Sequence, residues 1–178
     1  MNKKVLIISA SPRKGGNSDT LCDEFAKGAK ESGNAVEKIN LADKNIGFCK
    51  ACYACTKLGK CFQKDDVNEI LEKMMDTDVL VLASPVYFYT MNAQMKTLID
   101  RTVPLYEKMK NKDIYLIATA AETGEEILER TIDGFRGFMD CYDGFVEKGV
   151  IRAAGVYQVG EVQSTKYMQQ AYDMGKNV

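Results

Sequence analysis

The chain of 178 residues contains no histidine and no tryptophan. Without histidine there is no Ser-His-Asp triad, no Cys-His pair, no HExxH zinc site and no facial triad of two histidines and a carboxylate. A side chain that titrates near neutral pH is also missing unless a Cys, Glu or Lys is shifted there. General acid–base work by the protein is therefore a poor reading, and chemistry carried by a bound cofactor a better one. No apolar stretch approaches the roughly 18 residues of a membrane span. The apolar run after Met1-Asn2-Lys3-Lys4 is too short for a signal peptide. The expectation is a cytoplasmic protein with no membrane partner.

The common phosphate motifs are missing too. There is no G-x-G-x-x-G for a dinucleotide, no G-x-x-x-x-G-K-[ST] for a nucleoside triphosphate, and no C-x5-R phosphatase loop. A large net charge is likewise lacking: the formal total is −1, which argues against nucleic acid as a partner. The charge is unevenly spread, however. Residues 1–64 carry 12 basic and 6 acidic groups, and residues 122–148 carry 3 basic and 8 acidic ones. The basic N-terminal third suits a small anionic ligand, although a solvated charged surface accounts for the asymmetry equally well.

What is present is a β-α rhythm over a single domain, residues 1–178. Val5–Ile8, Val79–Ala83 and Ile114–Ala118 are short apolar runs rich in β-branched residues, as in strands buried on both faces of a parallel sheet. Val36–Leu41 and Val150–Val159 carry charged or polar positions and suit sheet edges. Leu21, Phe25 and Ala29; Val67, Ile70, Leu71 and Met74; Met95, Leu98, Ile99 and Thr102; Ile127, Leu128, Ile132, Phe135 and Met139; and Met168, Ala171 and Tyr172 mark helices by their spacing. Five β-α repeats with right-handed crossovers make an α/β, doubly wound five-stranded parallel sheet with helices on both faces. Edge-like second and fifth strands give the order 2-1-3-4-5. Ligands of such sheets bind beyond the carboxyl ends of the strands where the winding reverses, here between strands one and three.

The loops at that point have telling chemistry. Ser9-Ala10-Ser11-Pro12-Arg13-Lys14-Gly15-Gly16-Asn17-Ser18-Asp19-Thr20 joins the first strand to a helix predicted to start near Ser18. Hydroxyls, an amide, two cations and two glycines at a helix N-terminus suit a terminal phosphomonoester. The competing reading is an ordinary turn with Asn17 or Ser18 as N-cap. Ser84-Pro85-Val86-Tyr87-Phe88-Tyr89 follows the third strand and offers flat apolar partners to a planar ring, or else caps the core or an interface. Thr119, Ala120 and Ala121 after the fourth strand are small enough to let a ring approach the backbone.

Ser9-Ala10-Ser11-Pro12-Arg13 with Gly16-Asn17-Ser18, taken with Ser84-Pro85-Val86-Tyr87-Phe88, resembles the NADPH-dependent FMN reductase family of the flavodoxin-like superfamily over nearly the whole chain. The resemblance implies an FMN-binding domain. The FMN phosphate would lie at Ser9, Ser11, Arg13, Asn17, Ser18 and Thr20, and the isoalloxazine ring at Pro85, Val86, Tyr87 and Phe88. Tyr89, Thr119, Ala120 and Ala121 complete the expected cofactor contacts. It further implies NAD(P)H as co-substrate, a small-molecule electron acceptor, and a homodimer or homotetramer. The flavin itself would carry the chemistry, so no protein residue is expected to be catalytic.

Four of six cysteines are clustered as Cys49-x2-Cys52-x2-Cys55-x5-Cys61, within an insertion at about residues 42–64. Such spacing lets thiolates converge on one metal centre and resembles the motif of the iron–sulfur flavoprotein subgroup. A [4Fe–4S] cluster, structural zinc and free reduced thiols all remain open readings. The following Asp65 or Asp66 is expected to cap the next helix. Cys22 and Cys141 read as small packing residues. A cluster would make a ferredoxin-like protein an alternative electron donor, and a non-enzymatic electron carrier of flavodoxin-like or iron–sulfur flavoprotein type is the rival to an oxidoreductase.

Overall fold

A computed structural model describes residues 2–178. Six strands and six helices follow in the order β1 (Lys4–Ser9), α1 (Asn17–Glu31), β2 (Ala35–Asn40), α2 (Ala54–Leu58), α3 (Val67–Asp76), β3 (Val79–Tyr87), β4 (Thr90–Met91), α4 (Ala93–Asp100), β5 (Asp113–Thr119), α5 (Glu129–Met139), β6 (Val146–Ala153) and α6 (Lys166–Lys176). Five strands run parallel in the spatial order β2-β1-β3-β5-β6, and β4 is a two-residue antiparallel addition to β3. Setting that short hairpin aside, this is the expected order 2-1-3-4-5.

Strand alternation divides the core into two layers. Val5, Ile7, Val79, Val81 and Ile117 point to one face, against Leu21 and Phe25 of α1 and Ala171 of α6. Leu6, Ile8, Leu80, Leu82, Ile114 and Leu116 point to the other, against Ile70 and Met74 of α3, Met95 and Leu98 of α4, and Ile132 and Phe135 of α5. Each such side chain stabilises the fold by about 1.5–3 kcal/mol. β1 and β3 pair Ile7 with Val81 and Ile8 with Leu82, so both central strands are covered on each side.

α1 and α6 pack backbone to backbone. A Cβ on Gly28 would lie 2.1 Å from the Tyr172 carbonyl oxygen, and one on Gly175 would lie 2.0 Å from the Phe25 carbonyl oxygen. Glycine at both positions is what lets the axes approach this closely.

Three boundaries differ from expectation. β6 ends at Ala153 rather than Val159, because the chain turns through Gly155 at φ +74°. β4 is too short to leave a periodic trace. The cysteine-bearing connection contains α2, entered and left through left-handed Tyr53 and Gly59.

Candidate functional site

A cavity of about 550 Å³ opens beyond the carboxyl ends of β1, β3 and β5. Its walls are Ser11, Pro12, Arg13, Gly16, Asn17 and Ser18; Pro85 to Phe88; Thr119 to Ala121; and Val156 with Tyr157.

The first wall is shaped by two glycines. Gly15 has φ +65°, and a Cβ on Gly16 would stand 2.8 Å from Ser11 Oγ and 3.0 Å from the Arg13 carbonyl oxygen. The loop curls tightly because those positions carry no side chain. Gly16, not Asn17 or Ser18, is the N-cap of α1, and no side chain caps the helix. Thr20 N donates to Gly16 O at 2.8 Å, whereas the N–H groups of Asn17, Ser18 and Asp19 have no intrahelical acceptor. These donors, the positive end of the helix dipole and the Arg13 charge suit a phosphate.

Two expected contacts lie behind this wall. The Ser9 hydroxyl donates to Asp19 Oδ1 at 2.9 Å, and the Thr20 hydroxyl to Gly15 O at 3.2 Å. Neither residue lines the cavity; both brace the loop, because their hydroxyls are spent on Asp19 and on the Gly15 carbonyl oxygen. Asp19 is buried and accepts further bonds from Gly15 N at 3.1 Å and Lys38 Nζ at 3.1 Å. Burial would lower the Lys38 pKa, but its bonds to Asp23 and Asp19 hold it above the ordinary lysine value.

The same loop is tied to the segment after β6. Arg13 Nη1 donates to Tyr157 O at 3.0 Å, with its guanidinium 5.5 Å from the Tyr157 ring centroid. Asn17 Nδ2 donates to Gln158 O at 2.9 Å, and Asn17 Oδ1 accepts from Val162 N at 3.3 Å. Val156 N in turn donates to Ala120 O at 2.9 Å, joining the third wall to the fourth.

The second wall hangs on buried Asn92. Its Oδ1 accepts from Met95 N at 3.2 Å and so caps α4, while its backbone N–H donates to Ser84 Oγ at 3.0 Å. Val86 pairs with Met91 and Tyr87 with Thr90, leaving Phe88 and Tyr89 as the two turn residues. Both have positive φ, +50° and +64°. Tight hairpins require that conformation, and each non-glycine residue held in it costs roughly 1–2 kcal/mol. Phe88 is fully exposed at the tip. Tyr89 turns away from the cavity to a shallow depression with Glu126, Ile127 and Arg130, whose guanidinium lies 5.7 Å from the ring centroid. The two turn residues of the hairpin diverge, so the trio of aromatics cannot all face one ring.

A second pocket, of about 120 Å³, brings together Cys49, Cys52, Cys55 and Cys61 with Asp100, Arg101 and Val103. All four are free thiols. Among the described residues, no three His, Cys, Asp or Glu side chains are grouped closely enough to hold one metal ion. The expected quartet thus shares a pocket without converging: Cys49 and Cys52 are exposed on a segment that turns at Ala51 (φ +48°) and Tyr53 (φ +54°). As a donor set, four thiols about one small pocket fit an iron–sulfur or zinc centre.

Below this pocket lies a buried ion pair. Arg101 Nη1 and Nη2 meet Asp65 Oδ2 and Oδ1 at 2.8 and 3.0 Å. Asp65 also accepts from Gly47 N at 3.0 Å and Val67 N at 3.3 Å. Burial would raise the Asp65 pKa, but Arg101 and those two N–H groups hold it below the ordinary carboxylate value. Asp66 is the N-cap of α3 but makes no side-chain cap bond; it accepts from Asn45 N at 2.7 Å instead. Cys22 is buried and its thiol is pushed up by desolvation. Cys141, expected to pack inside, is exposed, because α5 ends at Met139.

Residues 3–143 match the NADPH-dependent FMN reductase family. The chain belongs to that family. It is 41% identical to an iron-sulfur flavoprotein of Methanocaldococcus jannaschii over 74% of this chain and 70% of that protein. It is 42% identical to an iron-sulfur flavoprotein of Archaeoglobus fulgidus over 57% of this chain. That match spans 46% of the Archaeoglobus protein, less than half its length. In fold, an azoreductase from Bacillus anthracis superposes with a TM-score of 0.79 at 17% identity, covering 100% of both chains.

The family match ends at Asp143, so Val156 and Tyr157 stand outside it and come to light only in the fold. Asn92 and Arg101 were also beyond the reach of pattern. An Asn before a helical run signals a cap, but nothing in one sequence shows that its other amide atom spans to Ala10, in the loop after β1. An Arg at a helix end signals a dipole partner, not burial.

Proposed function

We propose that the chain is a flavoprotein oxidoreductase that binds FMN in the 550 Å³ cavity and passes electrons from NAD(P)H, or from a ferredoxin-like donor, to a quinone, flavin or other small acceptor. The observation that carries this reading is the polarity of that one cavity. Uncapped helix N–H groups and Arg13 stand at one end, and Pro85 to Phe88 with Thr119 to Ala121 at the other. Bound FMN supplies hydride and single-electron exchange, which no side chain here offers.

The protein's own part is to bind and orient. The N–H groups of Asn17, Ser18 and Asp19 and the Arg13 charge hold the phosphate. Pro85 to Tyr87 and Thr119 to Ala121 present backbone and flat side chains to the ring, and Phe88 stands at the rim. Cys49, Cys52, Cys55 and Cys61 would hold a [4Fe–4S] cluster, adding one-electron exchange. The names of the Methanocaldococcus and Archaeoglobus relatives support that part. Asn92 at the N-cap of α4 and Arg101 at its C-cap lie about 14 Å apart along the helix, at 1.5 Å per residue. One rigid element thus joins the flavin cavity to the cysteine pocket. The described residues contain no helix long and apolar enough to cross a membrane.

The test is a flavin titration followed by anaerobic reduction. Apo-protein should bind FMN at least tenfold more tightly than riboflavin, and NADPH, NADH or reduced ferredoxin should bleach the bound flavin. Equal affinity for the two flavins would remove the phosphate from the Ser11–Ser18 loop. A flavin that none of the donors reduces would remove the oxidoreductase.

A further inference from the structure

Cys61 differs from the other three thiols of its pocket. Its backbone is held at both ends by one side chain: Cys61 N donates to Asn68 Oδ1 at 3.0 Å, and Asn68 Nδ2 donates to Cys61 O at 2.9 Å. Cys61 is half-buried and packs against the core layer that includes residues of α3 and α4, and its sulfur accepts from Arg101 Nη2 at 3.1 Å. Cys49 and Cys52 are exposed by contrast. Arg101 is buried, lines the pocket, and keeps its Nε without a partner. Its forked head spends one nitrogen on Gly47 O and Asp65, and the other on Asp65 and the Cys61 sulfur.

We propose that Arg101 is the positioning residue of the cysteine centre. It fixes the Cys61 sulfur as the ligand already in place, onto which Cys49, Cys52 and Cys55 close, and it remains an N–H···S donor to the assembled centre. The inference rests on the metal-thiolate reading of this pocket. The chemistry favours arginine specifically. A thiolate-bound centre is negatively charged, and hydrogen bonds to its sulfurs raise its reduction potential. A guanidinium can give two parallel N–H bonds to Asp65 while offering another to sulfur, whereas an ammonium is a single point charge with no fork. Asp65 orients the fork, and Gly47 O anchors the insertion that carries the other cysteines. Residues outside the thiol set often fix ligand orientation in this way.

The test compares wild-type protein with Arg101→Lys, which keeps a cation for Asp65 but loses the fork. Two readouts are needed. Cobalt(II) is titrated into the reduced apo-protein, following sulfur-to-metal charge-transfer absorption. The centre reconstituted anaerobically with iron and sulfide is titrated for its midpoint potential. In Arg101→Lys, cobalt affinity should fall at least tenfold and the potential should move to more negative values. A clamp acting only on Gly47 and Asp65 would leave a folded variant with unchanged affinity and potential, which overturns the proposal.

If Arg101→Lys does not fold, Cys61→Ser and Cys49→Ser decide, because both leave the ion pair intact. Cobalt affinity should fall at least tenfold more in Cys61→Ser, and equal losses overturn the proposal. Wild-type protein that takes cobalt but assembles no iron–sulfur centre removes the iron–sulfur reading, and the cobalt comparison still judges Arg101. Wild-type protein that binds neither overturns both.

Discussion

Asn92 Nδ2 donates to the carbonyl oxygen of Ala10 at 2.6 Å, across 82 residues of chain. That bond joins the loop after β1 to the loop after β3. The two walls of the cavity are thereby held at a fixed separation, through a side chain that also caps α4. Replacing it by alanine strands Ala10 O and Met95 N in a buried setting, at about 1–3 kcal/mol per unsatisfied group. Asn92→Ala should lower stability by about 2–6 kcal/mol on that basis and weaken FMN and riboflavin alike. Urea unfolding and flavin titration check both, and a variant as stable as wild type would show that the span carries no load.

Arg13 is expected to distinguish phosphate from ring. Arg13→Met keeps an unbranched apolar side chain but removes the charged guanidinium that lies over Tyr157. FMN affinity should fall about tenfold, close to the 1.4 kcal/mol of one charge-assisted bond, with riboflavin affinity unchanged. Isothermal titration with both flavins reads the difference. An equal loss for the two would mean that Arg13 acts only by tethering the 156–158 segment.

Strain is concentrated at the hairpin tip. Phe88→Gly frees the backbone at φ +50°, so the folded state should become more stable by about 1 kcal/mol. A protein that keeps an exposed phenylalanine on a strained turn has another use for it. We expect that use to be contact between copies: light scattering should give twice the monomer mass or more for wild type, and a lower mass for Phe88→Gly. A wild-type monomer at micromolar concentration would end that expectation.

The pH response of the cysteine segment follows from Asp65. Arg101 and the Gly47 and Val67 N–H groups hold its folded pKa below the ordinary carboxylate value, so the folded state favours the carboxylate. The stabilisation is complete above about pH 5 and is lost as pH falls through the unfolded value toward the folded one. Asp65→Asn should flatten this part of the stability–pH curve and, by leaving Arg101 unpaired, cost about 3–5 kcal/mol at pH 7. Chemical denaturation between pH 3 and pH 7 gives both numbers. A wild-type curve with no fall below pH 4 would contradict the assignment.

Much of this was legible in the sequence, for a physical reason. β1, β3 and β5 are buried on both faces, so their composition alone betrays them, and burial of the centre forces polar residues to the edges at β2 and β6. The loops after β1 and β3 are legible because ligand-facing loops concentrate hydroxyls, glycines and aromatics. Ser9 and Thr20 misled because a hydroxyl has the same letter whether it faces a ligand or braces a loop. Tyr157 was hidden because its place depends on Gly155 turning the chain where apolar spacing suggests a continuing strand. Arg101 was hidden because burial of a cation is decided by its partner, Asp65, 36 positions away.

The close seam between α1 and α6 sets an order of events in synthesis. α1 carries the N–H groups proposed to hold the phosphate, yet its far half is seated against Tyr172 and Gly175. The sheet is likewise unfinished until β6 has paired with β5, and the tether from Tyr157 and Gln158 reaches Arg13 and Asn17 later still. A nascent chain stalled before Lys166 has all three loops that line the cavity but no α6 to seat the helix behind them. On the proposed reading, flavin would therefore load only once α6 is seated against α1.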